Sequence, residues 1–171
     1  MPNWVTNYVC ARHKTKELIA AFKGKDAHGE EQEITFNAIV PTPPDVFQGD
    51  IGQNSPANNW YVFNTEKWGT KWDACDGCIS GECVQFNTAW STPEPIIKEL
   101  AKLLNDAIIC VYADEDIGSN CGAYVYFPDG TKVGIDPVDM FAAYVHYGDE
   151  PWSYVRQYLD WNYEDDDEEE E

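Results

Sequence analysis

The chain has 171 residues, enough for one domain of ordinary size, and 43% of them are hydrophobic, which excludes a wholly disordered chain. Asp and Glu number 31 against 11 Lys and Arg, for a net charge of −20, and residues 164–171 are an unbroken run of eight acids. Such a field repels nucleic acid and anionic membranes, which disfavours direct binding to either, and attracts basic protein surfaces.

Trp4 to Ala11 reads as a first strand, with Val5 and Val9 among aromatic and β-branched neighbours. Thr15 caps a short helix with Leu18, Ile19 and Phe22 on its apolar face, and Gly24 stops it. Ile34, Phe36 and Ala38 alternate with polar residues as in a half-buried strand. Pro41 to Pro56 is a long loop, Trp60 to Trp72 is irregular or short helix, and Asp73 to Glu82 is a Cys- and Gly-rich loop. Val84, Phe86 and Thr88 alternate again as a strand. The clearest helix follows, with Thr92 as N-cap, Pro93 at its first position and Glu94 at its positive end. Its apolar face is Ile96, Ile97, Leu100, Ala101, Leu103 and Leu104. Ile108 to Tyr112 is an unbroken apolar run, as in a central strand buried on both sides. Tyr124–Phe127 and Lys132–Ile135 flank Pro128-Asp129-Gly130, a hairpin signal. Helices are predicted from Asp136-Pro137 and from Pro151.

The order strand, helix, strand, strand, helix, strand predicts an α+β fold: a ferredoxin-like split βαβ antiparallel sheet, with an added β-hairpin and C-terminal helices. Residues 1–163 are expected to form one domain, with a C-terminal extension from about 131, and 164–171 are expected to be a disordered acidic tail. The N-terminus, Met1-Pro2-Asn3-Trp4, lacks a basic region followed by an apolar stretch, and no apolar run reaches transmembrane length. The expectation is a cytoplasmic protein whose six cysteines are free thiols or metal ligands rather than disulfides.

Five segments carry a family resemblance. They are Pro2-Asn3-Trp4-Val5-Thr6-Asn7, Phe36-Asn37-Ala38-Ile39-Val40-Pro41, Trp68-Gly69-Thr70-Lys71-Trp72-Asp73-Ala74, Phe86-Asn87-Thr88-Ala89-Trp90-Ser91-Thr92-Pro93 and Tyr112-Ala113-Asp114-Glu115. In this order, from residue 2 to about 127, they resemble the YubB-like family of phage and plasmid proteins. The resemblance implies a mobile-element origin and a ferredoxin-like domain, and it carries over no catalytic residue. The Cys75–Cys83 loop and the stretch from Thr131 onward depart from the family pattern.

Three groups of residues are candidates for function. Trp68, Lys71, Trp72 and Trp90 with Asp114 and Glu115 form a stacking and cation-holding surface for a nucleotide-like ligand. The structural alternative is that Trp68 and Trp72 pack beneath a loop, with Lys71 paired to Asp114 or Glu115. Cys75, Cys78 and Cys83 offer three of the four ligands of a structural zinc, with Cys10, Cys110, Cys121 or a His as the fourth; the alternative is thiols without metal. Asp136, Asp139, Asp149, Glu150 and Asp160 supply part of an acidic face that imitates nucleic acid, or else only keep the protein soluble. His13, His28 and His146 sit in no recognisable nucleophile or metalloprotease motif, and no catalytic residue is assigned. The resulting expectation is a non-enzymatic accessory protein that inhibits a nucleic-acid-handling or immune (anti-phage defence) factor of the host, such as a CRISPR system, by engaging its basic surface. The alternative is a small-ligand binder.

Overall fold

The computed structural model describes residues 2–115 and 120–134. Three long strands form the centre: β1 (Trp4–Ala11), β5 (Cys83–Ala89) and β6 (Ile108–Asp114). Around them run α1 (Thr15–Ala21), the two-residue strands β2 (Gly24–Lys25) and β3 (Glu31–Gln32), and α2 (Trp60–Phe63). Further along the chain come β4 (Cys75–Ser80), α3 (Glu94–Leu104), β7 (Cys121–Tyr126) and β8 (Lys132–Gly134). Six strands form an antiparallel sheet of order β4-β5-β1-β6-β7-β8, while β2 and β3 form a separate ribbon. In chain order β1-α1-β4-β5-α3-β6 is βαββαβ, and each helix crosses over one intervening strand. This is the ferredoxin-like split βαβ, extended at the β6 edge by the β7–β8 hairpin that Pro128-Asp129-Gly130 predicts.

Both helices lie on one face of the sheet. Leu18 and Phe22 from the first, and Ile96, Ile97, Leu100 and Ala101 from α3, join Val9, Val84, Phe86, Ile108 and Cys110 in a single core. Rings meet edge to face there, with Phe36–Phe86 centroids 5.3 Å apart and Phe36–Trp68 centroids 5.9 Å apart. Cys10, Cys83, Ile109, Val111, Ala123 and Val125 form a second cluster. Because side chains alternate along a strand, Ile108 and Cys110 of β6 face the helices while Ile109 and Val111 face away, so β6 is buried on both sides as its apolar run predicts.

Several elements differ from the sequence reading. Ile34 to Ala38 is no strand but the approach to a 3₁₀ turn at Phe36–Ala38. The Thr35 amide donates to Phe22 O at 2.9 Å, and Asp73 accepts the Phe36 amide and the Thr35 hydroxyl, so burial of Ile34 and Phe36 comes from tertiary anchoring. The strand that completes the sheet is β4, in the stretch read as a Cys-rich loop; its pairing is irregular between Cys75 and Cys78, and Asp76 has φ +50°. Thr15 does not cap α1. Instead Asp106, 91 residues on in sequence, accepts the His13 and Lys14 amides at 2.8 and 2.9 Å. Thr92 does not cap α3 either, for its hydroxyl donates to Asn7 Oδ1, and Leu103 is exposed. The helices expected from Asp136 and Pro151, and the acidic tail, lie outside the described residues.

Candidate functional site

The sheet register brings one end of β1, β5, β6 and β7 together, with Trp4 opposite Ala89, Val5 opposite Asp114 and Ala113 opposite Cys121. Trp90 follows β5 directly. Its amide donates to Asn3 O at 3.0 Å, its φ is +69°, and its ring is 48% exposed. A bulky residue in the left-handed region is sterically strained and persists only where its neighbours hold it. They do so here. Asn120 Nδ2 donates to Trp90 O at 3.0 Å and to Asp114 Oδ2 at 3.2 Å. Behind the turn lies a polar network: the fully buried Asn7 donates to Val5 O and Thr88 Oγ1, and Thr88 donates to Ser91 O at 2.7 Å.

A strap from Gly69 to Asp73 lies against this turn. It follows α2 and a π turn at Asn64–Trp68, which ends on Gly69 at φ +80°. A Cβ at position 69 would sit 2.6 Å from Pro95 Cδ, so only glycine lets the strap pass α3 this closely. Ser91 Oγ donates to Gly69 O at 2.6 Å, Asn64 Nδ2 to Lys71 O at 2.9 Å, and Thr70 Oγ1 to Trp72 O at 2.6 Å. The strap delivers the Lys71 ammonium to 4.7 Å from the Trp72 ring centroid and 4.9 Å from that of Trp90. A cation between two indoles gains about 0.5–1 kcal/mol from each at an exposed position. The Trp4 ring stands 6.0 Å from that of Trp72.

The structure therefore brings together Lys71, Trp72, Trp90 and, through Asn120, Asp114. Glu115 is exposed beside them, tied by its amide to Trp4 O. Trp68 does not join this surface: it is 2% exposed, packs on Phe36 and Phe63, and donates its indole N–H to Val40 O. Trp72 is half-buried, so it is not enclosed by the core. Sequence reasoning missed Asn3, Trp4 and Asn120; the first two stand in the N-terminal motif, but nothing in their spacing shows that Asn3 meets Asp114 or that Trp4 meets Trp72.

On the other side of the strap is a cleft of about 400 Å³, lined by Asp26, Ala27, His28, Gln48, Gly49, Asp50, Ile51, Trp60, Asn64, Trp68, Trp72 and Asp73. Its walls are loops held by side-chain hydrogen bonds. Asn59 caps α2 by accepting the Val62 amide, and Trp60 Nε1 donates to Gly49 O at 2.9 Å. Asp73 accepts the Thr35 hydroxyl at 2.5 Å and the Phe36 and Ala74 amides at 2.7 and 2.8 Å. Burial lifts its carboxyl above the ordinary range despite those bonds. Burial works the same way on Asp26, but the Glu30 amide, Gln32 and the His28 amide outweigh it and hold that carboxyl below its usual value.

The three cysteines proposed as zinc ligands are not brought together. Cys83 stands directly opposite Cys10 across β1 and β5, at a Cα separation of 4.6 Å, and the two form a disulfide where thiols or metal ligands were expected. Cys75 is half-buried, with its thiol pushed up by burial and by Asp76 and Asp73, and Cys78 is exposed. Cys110 is buried, which pushes its thiol up to about 12. Among the described residues no group of three His, Cys, Asp or Glu side chains is placed to hold a metal ion. Asp136, Asp139, Asp149, Glu150 and Asp160, with His146, lie outside the described residues. Among the described residues no helix is long and apolar enough to cross a membrane.

Residues 67–150 match the model of a family described as a ferredoxin-like domain in Api92-like protein. The matched stretch takes in β4, β5, α3 and β6 to β8, and β1 and α1 ahead of it complete the split βαβ order. No curated protein and no solved structure matches the chain. The fold and the family match agree that the chain carries a ferredoxin-like domain.

Proposed function

We propose that this is an accessory protein of a phage or plasmid, of the YubB-like kind, that acts by binding a nucleotide-like ligand rather than by catalysis. The observation that carries the reading is the Lys71 ammonium set between Trp72 and the half-exposed Trp90. An exposed indole offers a stacking face to a planar base, and an adjacent ammonium offers charge to a phosphate. Sequestering such a ligand would blunt a host defence that signals with it. The test is capture from host lysate, analysed for small molecules and proteins, by the wild type and by a Lys71→Met, Trp90→Ala double variant. The reading expects a nucleotide-like species that the variant fails to retain; equal retention by both proteins defeats it.

A second reading rests on charge. Residues 135–171 hold 13 of the 31 acids and one base, Arg156. Such a segment suits the basic surface of a host protein that handles nucleic acid, which it would inhibit by imitation. Capture that weakens steeply with added salt and is lost on truncation after Tyr163 favours this reading over the first.

A further inference from the structure

The cleft behind the strap is opposite in sign to the Lys71 surface. Among the described residues, Asp26, Asp50 and Asp73 line it, no Lys or Arg does, and His28 is its one basic group. Two indole donors in its wall are spent elsewhere: the Trp60 N–H goes to Gly49 O and that of Trp68 to Val40 O. Tryptophan whose N–H is engaged still presents its π system, which attracts cations. The three carboxylates are not gathered for a bare metal ion. They are spread around about 400 Å³, the volume of an organic ligand rather than an atom.

We propose that this cleft binds an organic cation, an ammonium or guanidinium group seated against Trp60 and Trp72 with Asp26 and Asp50 as countercharge. A neutral apolar guest of the same shape would strip water from carboxylates and return nothing for it. An anionic guest would face three like charges. The Asp73 side chain closes the floor, because its oxygens are held by Thr35, Phe36 and Ala74. The proposal stands apart from the nucleotide-like reading. Asp50 and Trp60 line the cleft, whereas Trp90 is not part of its lining, so failure of one idea is separable from failure of the other.

The experiment is calorimetric titration of the full chain, paired with tryptophan fluorescence. The probes are choline, its neutral isostere 3,3-dimethyl-1-butanol, arginine amide and a blocked Gly-Arg-Gly peptide. Saturable binding of choline or arginine amide is expected in roughly the millimolar range, with the isostere at least about tenfold weaker. Asp50→Lys, at an exposed position where folding is undisturbed, should weaken the cation about fivefold to tenfold. Trp90→Ala should leave it unchanged. Tighter binding of the peptide than of arginine amide would identify the source as a side chain of a protein partner; the reverse order would identify a free small molecule. No saturation by any cation up to about 50 mM, equal binding of the isostere, or an unaltered affinity in Asp50→Lys overturns the proposal.

Discussion

Trp72 has two neighbourhoods, and they are built by different means. On the Lys71 and Trp90 side the frame is strand register, backed by the buried Asn7–Thr88–Ser91 network. On the cleft side it is loops, held by carboxylates and amides that clasp backbone groups: Asp73 on Phe36, Asp26 on Glu30, Asn59 on Val62. A strand-built site inherits its geometry from the whole sheet, so it fails when the sheet fails. A clasp-built site depends on single side chains and can fail alone. The distinction matters because buried polar groups cost little while paired and much when one partner is removed.

Substitutions sort along that line. Phe36→Ala removes a ring that touches both Phe86 and Trp68, and should cost about 3–5 kcal/mol in urea denaturation while loosening both sides of Trp72. Asn7→Leu strips acceptors and donors from the network behind Trp90. It should cost about 3 kcal/mol and shift the Trp90 environment in fluorescence, with the cleft ligand unaffected. Asp73→Ala leaves the Phe36 amide and Thr35 hydroxyl unpaired; a loss of about 2 kcal/mol, with cleft binding lost and the Lys71 surface retained, would confirm that the clasp is local.

Asp73 also makes a pH prediction. Its folded-state carboxyl holds its proton more tightly than the ordinary value of 3.8, so its contribution favours folding at low pH and fades as pH rises through the raised value. Relative to Asp73→Asn, the wild type should therefore lose stability as pH rises above 3.8, read from denaturation midpoints. The smallest expected effect is Trp90→Ala. It forfeits a cation–π contact of about 0.5–1 kcal/mol, so stability should move by no more than about 1 kcal/mol while ligand capture fails. Trp90→Gly should be at least as stable as Trp90→Ala, since glycine accepts φ +69° without strain.

How much of this was legible in the sequence follows the same division. Periodicity and turn chemistry report local structure, so β1, β5, α3, β6 and the β7–β8 hairpin could be read from residues alone. The misread stretch, Ile34 to Ala38, mimics a strand because Ile34 and Phe36 are buried, yet Thr35 between them is buried too, hydrogen-bonded to Asp73. That bond spans 38 residues and leaves no local trace. The bonds from the His13 and Lys14 amides to Asp106, just ahead of α1, are invisible for the same reason. Lys71, Trp72, Trp90 and Asp114 were legible as a group through their motifs, whereas Trp60, Asp26 and Asp50 belong to the cleft only because the loops fold back on themselves. The Cys10–Cys83 pairing required the register of two strands 73 residues apart.

The cleft-building residues leave the framework after α1 and return at β4, two elements that are consecutive in the βαββαβ order. Lengthening such an excursion costs little, because closure entropy grows only with the logarithm of loop length. Descendants of this gene can therefore trade one excursion for another, and with it one guest for another, while inheriting the sheet untouched.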